Sequence, residues 1–309
     1  MRRILPCLLV LFLLISCFPA LCEEADGEMT AEVWQSLSET QTLPEEAREY
    51  TTRGTVISAI AHGDYLYYLS TDGLYQVDTK TLEESAILTY SDLLNRCSQA
   101  FALRKMSLCF RSNTLLLLDW HSGHIWTVTR RNMSHQSSYN TGELNPQACW
   151  SPCANTSRML LLTGGGLGNL GHLVSLDLEV GILMESETND LAEIALWDNG
   201  HIACLVAGAG GTSQVVRANL QGRDREVICN IDGLSCRGLE CDRQTKEIFL
   251  ITDQGLCRIL DGEQSVLFHF KPGQHEIDYL LSDHDYTIVS SNRLILLPIR
   301  AREEEAASQ

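Results

Sequence analysis

The chain has 309 residues, 44% of them apolar, and a formal net charge of −17. This length and apolar content predict a globular protein with a substantial core and exclude a disordered chain. The negative charge repels phosphate backbones and anionic membrane surfaces, which argues against nucleic-acid binding. Part of the excess lies in residues 23–50, where nine acids face the single base Arg48.

The N-terminus has the pattern of an export signal. Arg2 and Arg3 precede an almost unbroken apolar run of 13 residues, Ile4–Ser16. Such a run is too short to span a bilayer as a mature helix and is typical of a secretory signal. We therefore expect a signal peptide over residues 1–22 and an acidic leader over 23–47. No second apolar run of membrane length follows, so the sequence predicts a soluble body.

Two processing routes for the signal remain open. Leu14-Ile15-Ser16-Cys17 resembles the bacterial lipobox, which predicts lipidation at Cys17 and a tether to the cell envelope. An ordinary signal peptidase could instead cut near Ala20-Leu21-Cys22 and release a secreted protein. An uncleaved signal anchor is the third alternative. Membrane contact is expected only through the lipid.

A repeated unit follows the leader. Residues 57–81 read as three strands, with Gly63-Asp64 and Asp72-Gly73 as the turns between them, and Ser85–Tyr90 supplies a fourth strand. Later strands end in a polar residue at comparable positions, with spacings of 41, 58, 42 and 42. These strand-ending residues are Asp78, Asp119, Asp177, Asn219 and Asp261. One blade of a β-propeller takes about 40–45 residues.

The spacing predicts an all-β fold: a six-bladed β-propeller of four-stranded antiparallel sheets over residues 48–300, followed by a polar tail over 301–309. The long interval is attributed to a loop insertion at Asn132–Asn145, and no helix of 12 or more residues is predicted after residue 50. The last unit has three strands. A strand before Ile57 is expected to pair with Leu294–Pro298 and close the ring.

The first unit carries a resemblance to known propellers. Asp64-Tyr65-Leu66-Tyr67-Tyr68 and Asp72-Gly73-Leu74-Tyr75-Gln76-Val77-Asp78 resemble a blade of the TolB-like and YWTD-like six-bladed propellers. The resemblance covers residues 50–300 as architecture. It implies a binding or scaffolding module of a bacterial envelope protein, and it carries over no catalytic residue.

Nine of the twelve cysteines lie in the body, an odd number, and several occupy apolar strands, as Cys109 and Cys204 do. A cysteine in such a strand is usually a small buried apolar residue, so we predict that most of them form no disulfide. Cys149 with Cys153, and Cys236 with Cys241, are the candidate local pairs. The C-x-x-C spacing of a zinc site is absent.

A glycine-rich segment at 164–171 contains G-x-G-x-x-G, but a strand pattern follows where a dinucleotide site needs a helix. A second glycine-rich segment, 208–211, occupies the equivalent place in the next unit. Both are predicted to be hairpin loops, and no cofactor is predicted.

His121 and His124 flank a turn, and Asp283-His284-Asp285 forms another. His121 and His124 have no carboxylate or third histidine between or directly beside them in the sequence, and Asp-rich turns between strands are common, so both sets are interpreted as ordinary turn residues. The G-x-S-x-G motif of a serine nucleophile does not occur. Asn132 and Asn155 each begin a glycosylation sequon. We predict no catalytic or metal-binding residue.

Two functions are compatible with these patterns. The first is a non-catalytic extracytoplasmic binding or scaffold propeller, monomeric, with an unknown protein or small-molecule ligand at the propeller face. The alternative is a propeller hydrolase or lyase with a metal in the central channel. Three or more His, Asp or Glu side chains converging on the axis would favour the enzyme. A sensor or accessory domain of a transport system is a third class.

Overall fold

The structure is a computed structural model of the chain. It describes residues 45–119, 121–138, 150–154, 159–163, 170–177, 181–186, 189–207, 212–231, 236–270, 276–281 and 285–299.

The described residues form six four-stranded antiparallel sheets and one α-helix. The strands are β1 Arg48–Thr51, β2 Val56–His62, β3 Tyr65–Ser70, β4 Gly73–Asp78, β5 Glu84–Thr89, β6 Met106–Arg111, β7 Thr114–Asp119, β8 His124–Thr129, β9 Asn132–Ser138, β10 Trp150–Ala154, β11 Met159–Thr163, β12 His172–Asp177, β13 Gly181–Glu185, β14 Leu191–Leu196, β15 His201–Ala207, β16 Ser213–Asn219, β17 Glu226–Ile231, β18 Cys236–Cys241, β19 Ile248–Thr252, β20 Gly255–Leu260, β21 Glu263–His269, β22 Glu276–Leu281, β23 Asp285–Ser290 and β24 Arg293–Pro298. Helix α1, Tyr90–Ala102, lies between β5 and β6.

The sheets are arranged as a β-propeller, as the sequence predicts, but with five blades rather than the six expected. Five blades consist of four consecutive strands each: β2–β5, β6–β9, β10–β13, β14–β17 and β18–β21. The sixth sheet is composite, with the order β1-β24-β23-β22. In it β1 pairs antiparallel with β24, so that Arg48 lies opposite Leu296 and Tyr50 opposite Leu294. The predicted pairing of a strand before Ile57 with the last strand is therefore confirmed.

One strand from each of the six sheets contacts the corresponding strand of the next sheet, and these contacts form a closed cycle. Strand β2 contacts β6, and the contacts continue through β10, β14, β18 and β22 back to β2. Between the first two sheets, the backbone N–H of Leu108 donates to Oγ of the buried Ser58 at 3.0 Å. Apolar side chains fill the spaces between neighbouring sheets, as where Leu66 and Tyr68 meet Leu294 and Leu296. Each sheet thus buries its faces against its neighbours, because one four-stranded sheet has no core of its own.

The repeat is visible at atomic level in the first and fifth blades. Ser70 Oγ donates to the carbonyl of Gly73, and Thr252 Oγ1 donates to the carbonyl of Gly255. In both hairpins the glycine has positive φ, +153° and +134°, and lies close against the last strand of its blade. A Cβ on Gly255 would lie 2.0 Å from the carbonyl oxygen of Phe268. The turn therefore requires glycine for its backbone conformation and for space.

The strand-ending polar residues have a physical role. Oδ1 of Asp78, Asp119 and Asn219 accepts hydrogen bonds from the backbone N–H groups two and three or four residues later. In these Asx turns the side chain accepts from backbone N–H groups that lie just beyond the strand and have no partner strand, so the polar residue ends the strand.

The sequence analysis treats the five strand-ending residues as equivalent positions of the repeat, and this is wrong for Asp119. Asp78, Asp177 and Asn219 end the third strand of their sheets, whereas Asp119 ends the second strand, β7. The interval of 58 therefore includes an extra strand, and Asn132–Ser138, taken as a loop insertion, is β9. A polar strand at the outer edge of a blade lacks the apolar alternation by which strands are recognised.

The expectation of no helix after residue 50 is also wrong, because α1 has 13 residues. Thr89 caps it, and a capping box joins Thr89 to Asp92. Its buried residues are only Leu93, Cys97, Ala100 and Phe101, and the backbone is kinked at Cys97. These residues have the i, i+4, i+7, i+8 spacing of an amphipathic helix, so the sequence does carry the signal, although Cys97 and Ala100 are small; packing of this stripe against the first two blades stabilises the helix.

Candidate functional site at the closure and along the α1 helix

Several predicted positions lie outside the described residues. Cys17 and the export signal are among them, as are Cys149, the glycine-rich segments 164–169 and 208–211, Asn155, and Asp283 with His284. The strands flanking the two glycine-rich segments are described, and in each case they pair antiparallel, β11 with β12 and β15 with β16. A strand, β12, follows the G-x-G-x-x-G segment as predicted.

Seven cysteines of the body are free thiols in the structure: Cys97, Cys109, Cys204, Cys229, Cys236, Cys241 and Cys257. Cys236 and Cys241, one of the two candidate pairs, occupy opposite ends of β18 and therefore cannot meet. Burial raises the pKa of five of these thiols to about 12, those of Cys97, Cys109, Cys204, Cys236 and Cys241. These thiols act as small apolar residues of the core.

The histidine and aspartate residues predicted to lie in turns do not form one site. His121 is exposed in the turn capped by Asp119, while His124 lies in β8 beside Trp126. Asp285 is buried at the start of β23 and pairs with Arg48. Across the described ranges, no three His, Cys, Asp or Glu side chains are placed to hold a metal ion. Nor does any helix in those ranges have the length and apolar character needed to cross a membrane.

A polar cluster that the sequence did not reveal joins the composite sheet to the first blade. Glu84 at the start of β5 accepts hydrogen bonds from the hydroxyls of Tyr50 in β1 and Tyr68 in β3. Its other oxygen lies 2.6 Å from Nε of Arg53. We call Tyr50, Arg53, Tyr68, Tyr75 and Glu84 the closure cluster. It links β1, the segment after it and three strands of the first blade.

Aromatic and cationic contacts complete the closure cluster. The rings of Tyr68 and Tyr75 stack with centroids 5.2 Å apart, and the guanidinium of Arg53 lies 5.7 Å from the Tyr75 centroid. The Tyr75 hydroxyl donates to Asp72 Oδ2 at 2.6 Å. Stacked rings and a cation over a ring face are favourable arrangements, and the stacked pair of rings is worth about 0.5–1.5 kcal/mol.

The electrostatics keep these tyrosines protonated. Burial, together with the hydrogen bond to Glu84, raises the pKa of Tyr50 to about 12. Burial and the hydrogen bond to Asp72 do the same for the pKa of Tyr75. The pKa of Tyr68 is raised further, first by burial. At neutral pH the hydroxyls are hydrogen-bond donors to carboxylates, which is a structural role. The sequence feature that could have located this cluster is Tyr67-Tyr68, two adjacent aromatic residues in one strand, of which Tyr68 is fully buried.

A second feature lies along α1. Exposed apolar side chains there are Tyr90, Leu94 and Leu103, with 47%, 38% and 47% of their surface accessible. Arg96 and Arg104 are also exposed on this segment, and the Arg96 guanidinium lies 5.9 Å from the Trp126 ring centroid. We call these five residues, Tyr90, Leu94, Arg96, Leu103 and Arg104, the α1 surface. Exposed aromatic, aliphatic and arginine side chains on one segment are the composition of a protein-binding surface.

No protein-family model and no curated protein matches the chain. Solved structures do match it. A putative TolB from Agrobacterium tumefaciens aligns with a TM-score of 0.52 at 12% identity, covering 81% of this chain and 93% of that one. A protein of unknown function from Bacteroides thetaiotaomicron gives a TM-score of 0.51 at 6% identity, covering 81% and 72%.

A chain in a mitotic checkpoint complex gives a TM-score of 0.50 at 12% identity, covering 84% of this chain and 92% of that one. Identities this low show a shared fold and no more. The likeness to a TolB supports the predicted resemblance at the level of architecture.

Proposed function

We propose that this chain is an exported, non-catalytic binding or scaffold β-propeller that docks its ligand through the end of the molecule that carries α1. The observation that carries this proposal is the α1 surface, on which three large apolar side chains stay exposed among arginines. The propeller is a rigid scaffold, and binding residues are concentrated on the connections that such a scaffold positions. The ligand is a protein or a small molecule, and the chain acts as a monomer.

Photo-crosslinking tests where the ligand docks. A photoreactive amino acid at Leu103, next to the C-terminus of α1, should give a discrete adduct in cells that make the protein. The same amino acid at Asn113 serves as the control, because that exposed turn lies at the other end of β6. Adducts at Asn113 and none at Leu103 would contradict the proposed face, and adducts at neither position would contradict a binding function.

We propose further that the composite sheet acts as the sixth blade and that β1 closes the ring. Strand β1 covers β24, whose Leu294 and Leu296 are fully buried. Deleting residues 48–51 should therefore expose an edge and apolar side chains, and abolish cooperative unfolding. Deletion of residues 1–44 is the matched control, because residues 43–309 form one compact unit. A cooperative transition that survives the first deletion would show that β1 is dispensable.

Export, and lipidation at Cys17, are part of the proposal. The supporting pattern is the basic start and the apolar run ahead of the acidic leader. Fractionation and N-terminal sequencing of the mature protein test it, and recovery of the chain with Arg2 in the cytoplasm would refute export. Replacing Cys17 by Ala should release the protein from the envelope if the lipid anchors it, and unchanged membrane association would eliminate the lipid.

A further inference from the structure

We propose that the α1 surface binds an acidic polypeptide segment that carries apolar side chains. This inference rests on the proposed binding function and names the class of its partner. The argument comes from the charge around α1, the placement of its exposed apolar side chains, and the polar character of its outer face.

The charge around α1 is opposite to that of the whole molecule. Helix α1 and the three residues after it, 90–105, contain three basic residues and the single acid Asp92, in a chain whose formal net charge is −17. Arg104, Arg130 and Arg131 are exposed, and no ion pair is described for their side chains among the residues that the structure covers. The N–H of Arg131 donates to the carbonyl of Ile87 at 2.9 Å, which places that turn beside the strand leading into α1. Because charges are screened beyond about 8 Å at physiological salt, this local excess determines which partner is attracted.

The apolar side chains provide anchoring points between these charges. Tyr90 and Leu94 are one helical turn apart and so lie on the same flank of α1. The Tyr90 ring meets the buried Phe101 ring edge to face, with centroids 5.6 Å apart, which holds Tyr90 in place. Leu103 is exposed at the C-cap of the helix. A fixed tyrosine and two leucines at the edge of a core are suited to contact apolar side chains of a partner.

The outer face of α1 argues for a polypeptide rather than a membrane. Opposite the buried stripe, the helix exposes the uncharged polar residues Ser91, Asn95, Ser98 and Gln99. A helix that inserts into a lipid surface presents a continuous apolar face to the acyl chains, which this one does not. A polypeptide lying along the flank can hydrogen-bond to these side chains while its acidic residues approach the arginines.

A displayed library of random peptides, about a dozen residues long, tests this inference on the full-length protein. Selected peptides should combine Asp or Glu with Leu, Phe or Trp. Their affinity, measured with synthetic copies, should fall roughly tenfold for Arg104→Glu and for Leu94→Ser. The matched control is Arg243→Glu, which makes the same charge change at an exposed turn between β18 and β19. Copies with the apolar residues replaced by Ser should bind more weakly.

The outcomes separate this inference from the function on which it rests. Selected peptides that lack acidic residues, or that bind the Arg104→Glu protein as well as the wild type, would overturn the acidic partner and leave a binding propeller. Failure to select any peptide would overturn it too, as would binding to vesicles containing phosphatidylserine in place of peptides. The crosslinking at Leu103 and Asn113 decides the binding function independently.

Discussion

Arg48 in β1 and Asp285 in β23 form an ion pair, with Nη2 and Oδ2 2.5 Å apart, although β1 neighbours β24 and not β23. The Asp285 side chain is almost fully buried, whereas that of Arg48 is partly exposed. Arg48 Nη1 also donates to the carbonyl of Lys80 in the turn between β4 and β5 at 3.3 Å. One side chain therefore ties the N-terminal strand to the last sheet and to the first blade.

The first prediction concerns this pair. Arg48→Gln should lower the free energy of unfolding by about 2–3 kcal/mol, because the almost fully buried Asp285 side chain loses its ion pair with Arg48. The neighbouring Glu49→Gln is the control, since it removes only the exposed pair with Arg293 and should cost about 0–1 kcal/mol. Denaturant unfolding of both variants measures the difference. Equal losses would mean that Asp285 does not depend on Arg48.

The second prediction is a loss of stability at high pH. Tyr50 and Tyr75 have pKa values raised from 10.0 to about 12 in the folded protein. Below pH 10 both states keep these protons and the stability is unaffected. Between pH 10 and about 12 the unfolded chain loses protons that the folded chain retains, so stability falls as pH rises. Tyrosinate absorbance should show fewer ionised tyrosines at pH 11 in native than in denatured protein; coincident titrations would exclude the effect.

The third prediction compares two glycines. Gly255→Ala places a Cβ 2.0 Å from the Phe268 carbonyl oxygen at φ +134°, so it should destabilise the protein by more than about 3 kcal/mol. Gly63 also has positive φ, +57°, but a Cβ there meets nothing within 4 Å. Gly63→Ala should cost only about 1 kcal/mol. If thermal unfolding gave the two variants the same midpoint, Gly255 would not lie as close to the Phe268 carbonyl as the structure places it.

The fourth prediction concerns the thiols. Native protein should react slowly with a thiol reagent, because Cys97, Cys109 and Cys204 are buried and their pKa values are raised to about 12. After unfolding without a reductant, all seven described cysteines should react. Mass spectrometry of the labelled peptides identifies them individually. Unlabelled Cys236 and Cys241 in the denatured sample would reveal disulfides that the structure does not contain.

Local sequence determined much of the architecture. Alternating apolar residues and tight turns placed β2–β5 and the last three strands, because each hairpin is specified by residues close in the chain. Helix α1 was not predicted, although Leu93, Cys97, Ala100 and Phe101 have the spacing of an amphipathic helix, because two of the four are small and packing against the first two blades stabilises the helix. The register of the second blade was misassigned because an Asx turn can end any strand, and Asp119 ends β7 rather than the strand after it.

Only the tertiary structure decided which side chains meet. Tyr50 and Glu84 are separated by 34 residues, and Arg48 and Asp285 by 237, so no spacing in the sequence relates them. The α1 surface likewise depends on which residues of the helix the neighbouring sheets cover. The sequence by itself determined most of the strands, the tight turns and the three-stranded last unit that requires a partner strand. The arrangement of sheets determined the contacts, because β1 and β24, which are far apart in the sequence, pair in one sheet.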